Sequence, residues 1–141
     1  MDAETVTVDV EISASPAQVW QALTDPEQVR HWFLGTQLET TWEEGAPITW
    51  SGEYDGRRYE DRGELLEVVP EQVLVHTHYS PLSGAPDEPA SYRTVAWRLQ
   101  DEGDRTRLTL DQTLLGEDPA QPKQTWEQVL GMLKEHVESG R

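Results

Sequence analysis

The chain has 141 residues, with 27 acidic and 11 basic side chains and a formal net charge of −16. That balance excludes a nucleic-acid surface, which needs clustered Lys and Arg, and argues in the same way against an anionic membrane surface. Cys is absent, which excludes disulfides, thiolate metal sites and thiol nucleophiles.

The first predicted element is a strand, because Val6, Val8, Val10 and Ile12 alternate with Thr5, Thr7, Asp9 and Glu11. Ser15, Pro16 and Gln18 read as an N-cap, an N1 proline and a capping box, opening a short helix with Val19, Trp20 and Leu23 on one side. Asp25-Pro26 opens a second short helix bearing Val29, Trp32 and Phe33, which Gly35 ends. Two short helices in tandem cannot make a core alone, so they are expected to pack on a sheet.

Strands follow. Leu38, Thr40 and Trp42 alternate in one; Ile48, Trp50 and Tyr54 alternate in the next, where Gly52 marks a bulge or a close approach. Asp55-Gly56 predicts a tight hairpin. The return strand runs from Tyr59 to Val69, and its mixed phase at Leu65-Leu66 predicts a bulge. A strand over 73–79 leads into a long Pro-containing loop over 80–91. Val95, Trp97 and Leu99 form a further strand, and Leu108, Leu110, Gln112 and Leu114 the last. Trp126, Val129, Leu130, Leu133 and Val137 then lie on one face of a long helix. Gly131 inside it costs roughly 1 kcal/mol against Ala, so close packing on a backbone or a ligand is expected there. One strand, two helices, six antiparallel strands and a last helix make the chain α+β. It is long enough to form one domain, 1–141.

The N-terminus is acidic and alternating, without the basic and apolar regions of a signal peptide, and no apolar run is long enough to span a membrane. A cytoplasmic location is expected. Asn is absent and Lys, Ile and Phe are scarce against nine Arg, which points to a GC-rich bacterial genome; the acid excess fits a salt-loving source.

Neither a Gly-rich phosphate loop, a G-x-S-x-G elbow, H-E-x-x-H nor an EF-hand loop occurs, so no cofactor or metal is expected. His76 and His78 share a strand face with Leu74 and can orient a ligand oxygen or exchange protons near neutral pH. Gln112 interrupts an apolar face and needs a partner, which can be a ligand, a water or His76, with a structural partner the favoured case; an unpaired buried amide costs about 1–3 kcal/mol. Tyr54, Tyr59 and Arg93 are a candidate polar site. Glu39, Glu43, Glu44, Glu60, Glu64 and Glu67 read as a solvated acidic surface. Most of Trp20, Trp32, Trp42, Trp50 and Trp97 read as core.

Several stretches resemble one family. The run from Ser15-Pro16 through Asp25-Pro26-Glu27, followed by His31-Trp32-Phe33, is similar to the opening of the activator of Hsp90 ATPase homologue-like proteins of the START/birch-pollen-allergen (SRPBCC) superfamily. Gly63-Glu64-Leu65-Leu66-Glu67-Val68-Val69-Pro70 with Leu74, Thr106-Arg107-Leu108-Thr109-Leu110, and Trp126 match further motifs in order. The resemblance implies a helix-grip fold: a curved seven-stranded sheet gripping the C-terminal helix, with an apolar cavity between them. It also implies that the His76 and His78 face looks into that cavity and that Trp32 and Phe33 stand at its mouth, near the 80–91 loop. Leu74, His76, His78, Trp97, Leu108, Leu110 and Gln112 are expected on the sheet wall, and Trp126, Leu130 and Leu133 on the helix wall.

Members of that superfamily include carriers, cyclases, hydrolases and chaperone partners, so the fold does not fix the function. A carrier of a small hydrophobic or aromatic molecule, a monomer or weak dimer, is the favoured reading. It predicts an enclosed cavity without a tight acid–base pair. A polyketide cyclase- or hydrolase-type enzyme predicts a cavity His oriented by a carboxylate. A chaperone-interacting module predicts a contiguous exposed apolar patch. The eukaryotic Hsp90 activators carry a separate N-terminal domain for much of the chaperone contact, and this chain is expected to lack it.

Overall fold

The computed structural model describes residues 4–54, 56–81 and 84–139. Seven antiparallel strands form one sheet: β1 (Thr5–Ile12), β2 (Gln37–Glu39), β3 (Pro47–Tyr54), β4 (Arg57–Val69), β5 (Val73–His78), β6 (Arg93–Asp101) and β7 (Thr106–Thr113), in the order β1-β7-β6-β5-β4-β3-β2. Helices α1 (Pro16–Thr24) and α2 (Pro26–Trp32) follow β1, and α3 (Ala120–Ser139) ends the chain. This is the α+β helix-grip architecture.

Local chemistry sets the helix starts. Ser15 accepts from the Gln18 N–H while the Gln18 side chain accepts from the Ser15 N–H, so both halves of the capping box form. Asp25 caps α2 through the Glu27 N–H. The end of α2 turns on Leu34 and Gly35, both left-handed (φ 53° and 80°). The core lies between the helices and one sheet face. Val8, Leu108, Leu110, Val95, Leu74 and Leu65 meet Val129, Leu130, Leu133 and Val137 of α3 there.

Two glycines shape β3 and β4. Pairing runs unbroken through Gly52↔Tyr59, so Gly52 is a close approach and not a bulge: a Cβ there would lie 2.8 Å from the Tyr59 hydroxyl. At Gly63 a Cβ would lie 1.8 Å from the Thr77 carbonyl oxygen. The bulge falls at Leu66, where the β4–β5 register shifts between Leu65 and Glu67. Tyr54 pairs with Arg57, as a two-residue hairpin requires; Gly56 is left-handed (φ 77°), and Asp55 lies outside the described residues.

Two expectations need correction. The second strand stops at Glu39: Thr40 turns its hydroxyl to the Pro47 carbonyl and Trp42 is left-handed (φ 66°), which ends the extended run. Gly131 faces open space, with nothing within 4 Å of a Cβ built on it, so neither a backbone nor a cavity explains it. Gln112 has a structural partner, as favoured, but in α3 and not in His76: Trp126 Nε1 donates to Gln112 Oε1 at 2.8 Å.

Candidate functional site

A cavity of about 380 Å³ opens between α2, the start of α3 and strands β2–β6 of the sheet. The sequence builds its roof from the end of α2. Trp32 donates its indole N–H to the Ala22 carbonyl (2.8 Å) and stacks on Phe33 with centroids 5.2 Å apart. Leu34, next in the chain, is 63% exposed at the rim. Leu34 and Trp42, both at the cavity, are two of the three non-glycine residues in the left-handed region among the described residues. Such a conformation costs roughly 1–2 kcal/mol in an ordinary L-residue, so the mouth carries strain.

Trp50 forms the floor from β3. Its ring lies 4.8 Å from that of His76 and 5.4 Å from that of His78, centroid to centroid. The two histidines differ in chemistry. His76 is 4% exposed; its Nδ1 lies 2.9 Å from the Thr77 carbonyl, and Trp97 Nε1 donates to its Nε2 at 3.1 Å. A carbonyl only accepts and an indole N–H only donates, so the ring is the neutral Nδ1–H tautomer with both nitrogens occupied. Burial lowers its pKa from 6.5 to about 4; the bond to Thr77 opposes that shift and the proximity of His78 adds to it.

His78 is freer. Its side chain is 30% exposed and lines the cavity, and Nε2 lies 3.0 Å from Asp61 Oδ2. Asp61 comes from β4, on the same face as Tyr59, whose hydroxyl meets that of Thr36 at 2.6 Å. The close approach of Gly63 is to Thr77, which stands between the two histidines in β5. There the Glu64 N–H donates to the Thr77 hydroxyl, and the Thr77 carbonyl takes the His76 proton. The cavity lining holds the carboxylates of Glu53 and Asp61 and no Lys or Arg. Among the described residues no group of three or more His, Asp or Glu side chains is placed to hold a metal ion.

The family model described as activator of Hsp90 ATPase homolog 1-like protein matches residues 13–138. The chain belongs to this family. A solved structure, ChR145 of Cytophaga hutchinsonii, is 31% identical, with a TM-score of 0.86 over 99% of this chain and 98% of its own. DynU16, a protein of the dynemicin biosynthetic locus, is 27% identical with a TM-score of 0.81; this chain covers 49% of it. The Aha1 dimer of Colwellia psychrerythraea shares the fold, at 17% identity and a TM-score of 0.74 over 98% of both chains. A search of curated proteins found no match.

In this AHSA1-like chain, Trp32, Phe33, Leu74, His76, His78, Trp97 and Trp126 meet at the cavity. Leu108, Leu110, Leu130 and Leu133 do not: they are at most 1% exposed and belong to the packed hydrophobic core. Gln112 belongs to a second, more open depression, which His78 and Trp126 also line, beside Arg93 and Glu117, which share an ion pair. Tyr59 and Arg93 therefore do not form one polar site, and the Tyr54 side chain lies outside the described residues. Of the described residues of the 80–91 loop, Ser80 reaches the cavity. The loop is held back by the Tyr79–Tyr92 stack and by Asp87, which takes Arg62 and the Tyr92 hydroxyl.

Sequence reasoning missed Asp61, and it took Trp42 and Trp50 for core. A signal existed for Asp61. Counting back by twos from Leu65, before the bulge, places Gly63, Asp61 and Tyr59 on the inner face.

Proposed function

We propose that this chain binds a small, flat, neutral molecule in the cavity between α2, α3 and β2–β6. The observation that carries the reading is the lining itself: an open space of about 380 Å³ walled by indole and aliphatic side chains, with a few convergent polar groups. Small-molecule sites have that balance and run from roughly 300 to 1,000 Å³. Two carboxylates without a Lys or Arg in the lining argue for a neutral ligand over a carboxylate or phosphate. His78 and the Thr36–Tyr59 hydroxyl pair are the groups that would fix its orientation. The origin of the similar DynU16 in a biosynthetic locus fits a small-molecule ligand.

A chaperone-docking reading has less support. Among the described residues, the exposed large apolar side chains Leu34, Leu66 and Leu115 stand on separate elements, after α2, in β4 and after β7.

The test is an NMR titration with flavone, a neutral flat compound, beside a flavone carboxylic acid. Flavone is expected to move the indole N–H signals of Trp97 and Trp32, and the acid to move them less. Shifts confined to the outer acidic strands, or none with either compound, would overturn the reading.

A further inference from the structure

We propose that His78 and Asp61 form an acid–base pair that interconverts the keto and enol forms of a neutral aromatic ketone held in the cavity. This rests on the binding reading and goes beyond it, because a carrier needs no positioned base.

A carboxylate only accepts, so the 3.0 Å contact puts a proton on His78 Nε2 and leaves Nδ1 as the lone pair available to a ligand. Asp61 thereby fixes the tautomer and stabilises the imidazolium that forms when Nδ1 takes a proton. Its other oxygen, Oδ1, is buried and has no hydrogen-bond partner among the described residues. The negative charge is thus not shared with another donor and bears on His78. His76, with both nitrogens occupied, cannot take this role.

A second feature supplies the other half of the chemistry. Thr36 and Tyr59 share one hydrogen bond between two hydroxyls, so one of their two O–H hydrogens remains to donate to a ligand oxygen. Tyr59 stands two residues before Asp61 on the same face of β4, which places a donor and the base pair along one wall. A base beside an oxygen-binding donor suits proton removal next to a carbonyl. The aromatic walls select a flat molecule, and the carboxylates select a neutral one. A nucleophilic route is less well served: Ser80 lines the cavity, but no hydrogen bond joins it to His78, and the lining has no Lys.

In the step, His78 Nδ1 removes a proton from the carbon next to the carbonyl. The C–H electron pair becomes the C=C bond while the C=O π pair moves to oxygen, which the hydroxyl pair holds. The imidazolium then returns its proton to that oxygen, giving the enol, or to carbon, regenerating the ketone. Atoms balance and nothing is oxidised or reduced.

The experiment follows exchange of the α-protons of 2-tetralone in D2O by NMR, with the full chain, beside an equal concentration of free imidazole. The chain is expected to exceed imidazole by roughly 100-fold or more, the usual contribution of a positioned acid or base. His78→Gln should fall to the imidazole level or below while 2-tetralone still shifts the Trp97 indole signal. Asp61→Asn, nearly isosteric, should lower kcat by about tenfold or more with KM unchanged, as a positioning residue would and a merely structural one would not. It also carries the test should His78→Gln not fold. Bound 2-tetralone exchanging no faster than with imidazole, or full activity in both variants, would overturn this inference alone. Flavone bound but 2-tetralone not would reject the ketone class, and neither bound would sink the binding reading as well.

Discussion

His76 illustrates how one buried side chain makes stability depend on pH. Its folded pKa, about 4, lies below the roughly 6.5 of a free imidazole, so between those values the unfolded chain binds a proton that the folded chain does not. Stability is therefore complete above about pH 6.5 and is lost as pH falls toward 4, by roughly 3 kcal/mol from this group. Carboxylates also titrate in that window, so the comparison that isolates His76 uses His76→Gln. Gln can still accept from Trp97 and donate to Thr77. Urea midpoints at pH 7 and pH 4.5 should differ less in the variant than in the parent; equal slopes would mean the ring is not neutral by burial.

At the scale of elements, the glycines in β4 and α3 have opposite meanings. Gly63→Ala puts a methyl 1.8 Å from a carbonyl oxygen of the neighbouring strand, so β4 and β5 must separate where His76 and His78 are aimed. Overpacking of this kind costs about 1–3 kcal/mol and here, against backbone, is expected at or above the upper end. Thermal melting would show a large fall. Gly131→Ala adds a methyl to an exposed helix interior with open space around it, so it should raise stability by about 1 kcal/mol in the same assay. The strands, both helix caps and the Leu66 bulge were legible because alternation, capping residues and a phase break are local signals. The position of the cavity was not. Leu74 and Leu108 follow the same period-2 pattern, yet one faces a space and the other solid packing. Periodicity tells which face is inward, not how far the opposing helix stands from it. The Asp61–His78 contact was hidden differently, since Glu60, Asp61 and Arg62 form a polar run that resembles any solvated strand. The Trp126–Gln112 bond joins β7 to α3, and no spacing rule links those elements.

Across the whole molecule the acid excess dominates. Scarce cations are concentrated where they can be shared: Arg107 pairs with Asp9, Glu11 and Glu102, and Arg105 with Glu11 and Asp104. Exposed pairs of this kind contribute about 0–1 kcal/mol each, so salt that weakens them loses little. The surplus of 16 negative charges repels itself, and the Debye length falls from about 10 Å at 0.1 M to about 3 Å at 1 M. The melting temperature should therefore rise between 0.1 and 1 M KCl; a flat or falling value would show that the repulsion does not limit stability. The distribution of tryptophan has a different consequence. Trp32, Trp42, Trp50, Trp97 and Trp126 all face the cavity, and only Trp20 of the six lies away from it. The intrinsic ultraviolet emission of the protein is thus largely the emission of one small chamber. Anything that enters displaces the medium around five fluorophores at once, so the unlabelled chain is its own optical sensor. An occupant that absorbs in the near ultraviolet should quench most of the signal and leave the remainder to Trp20.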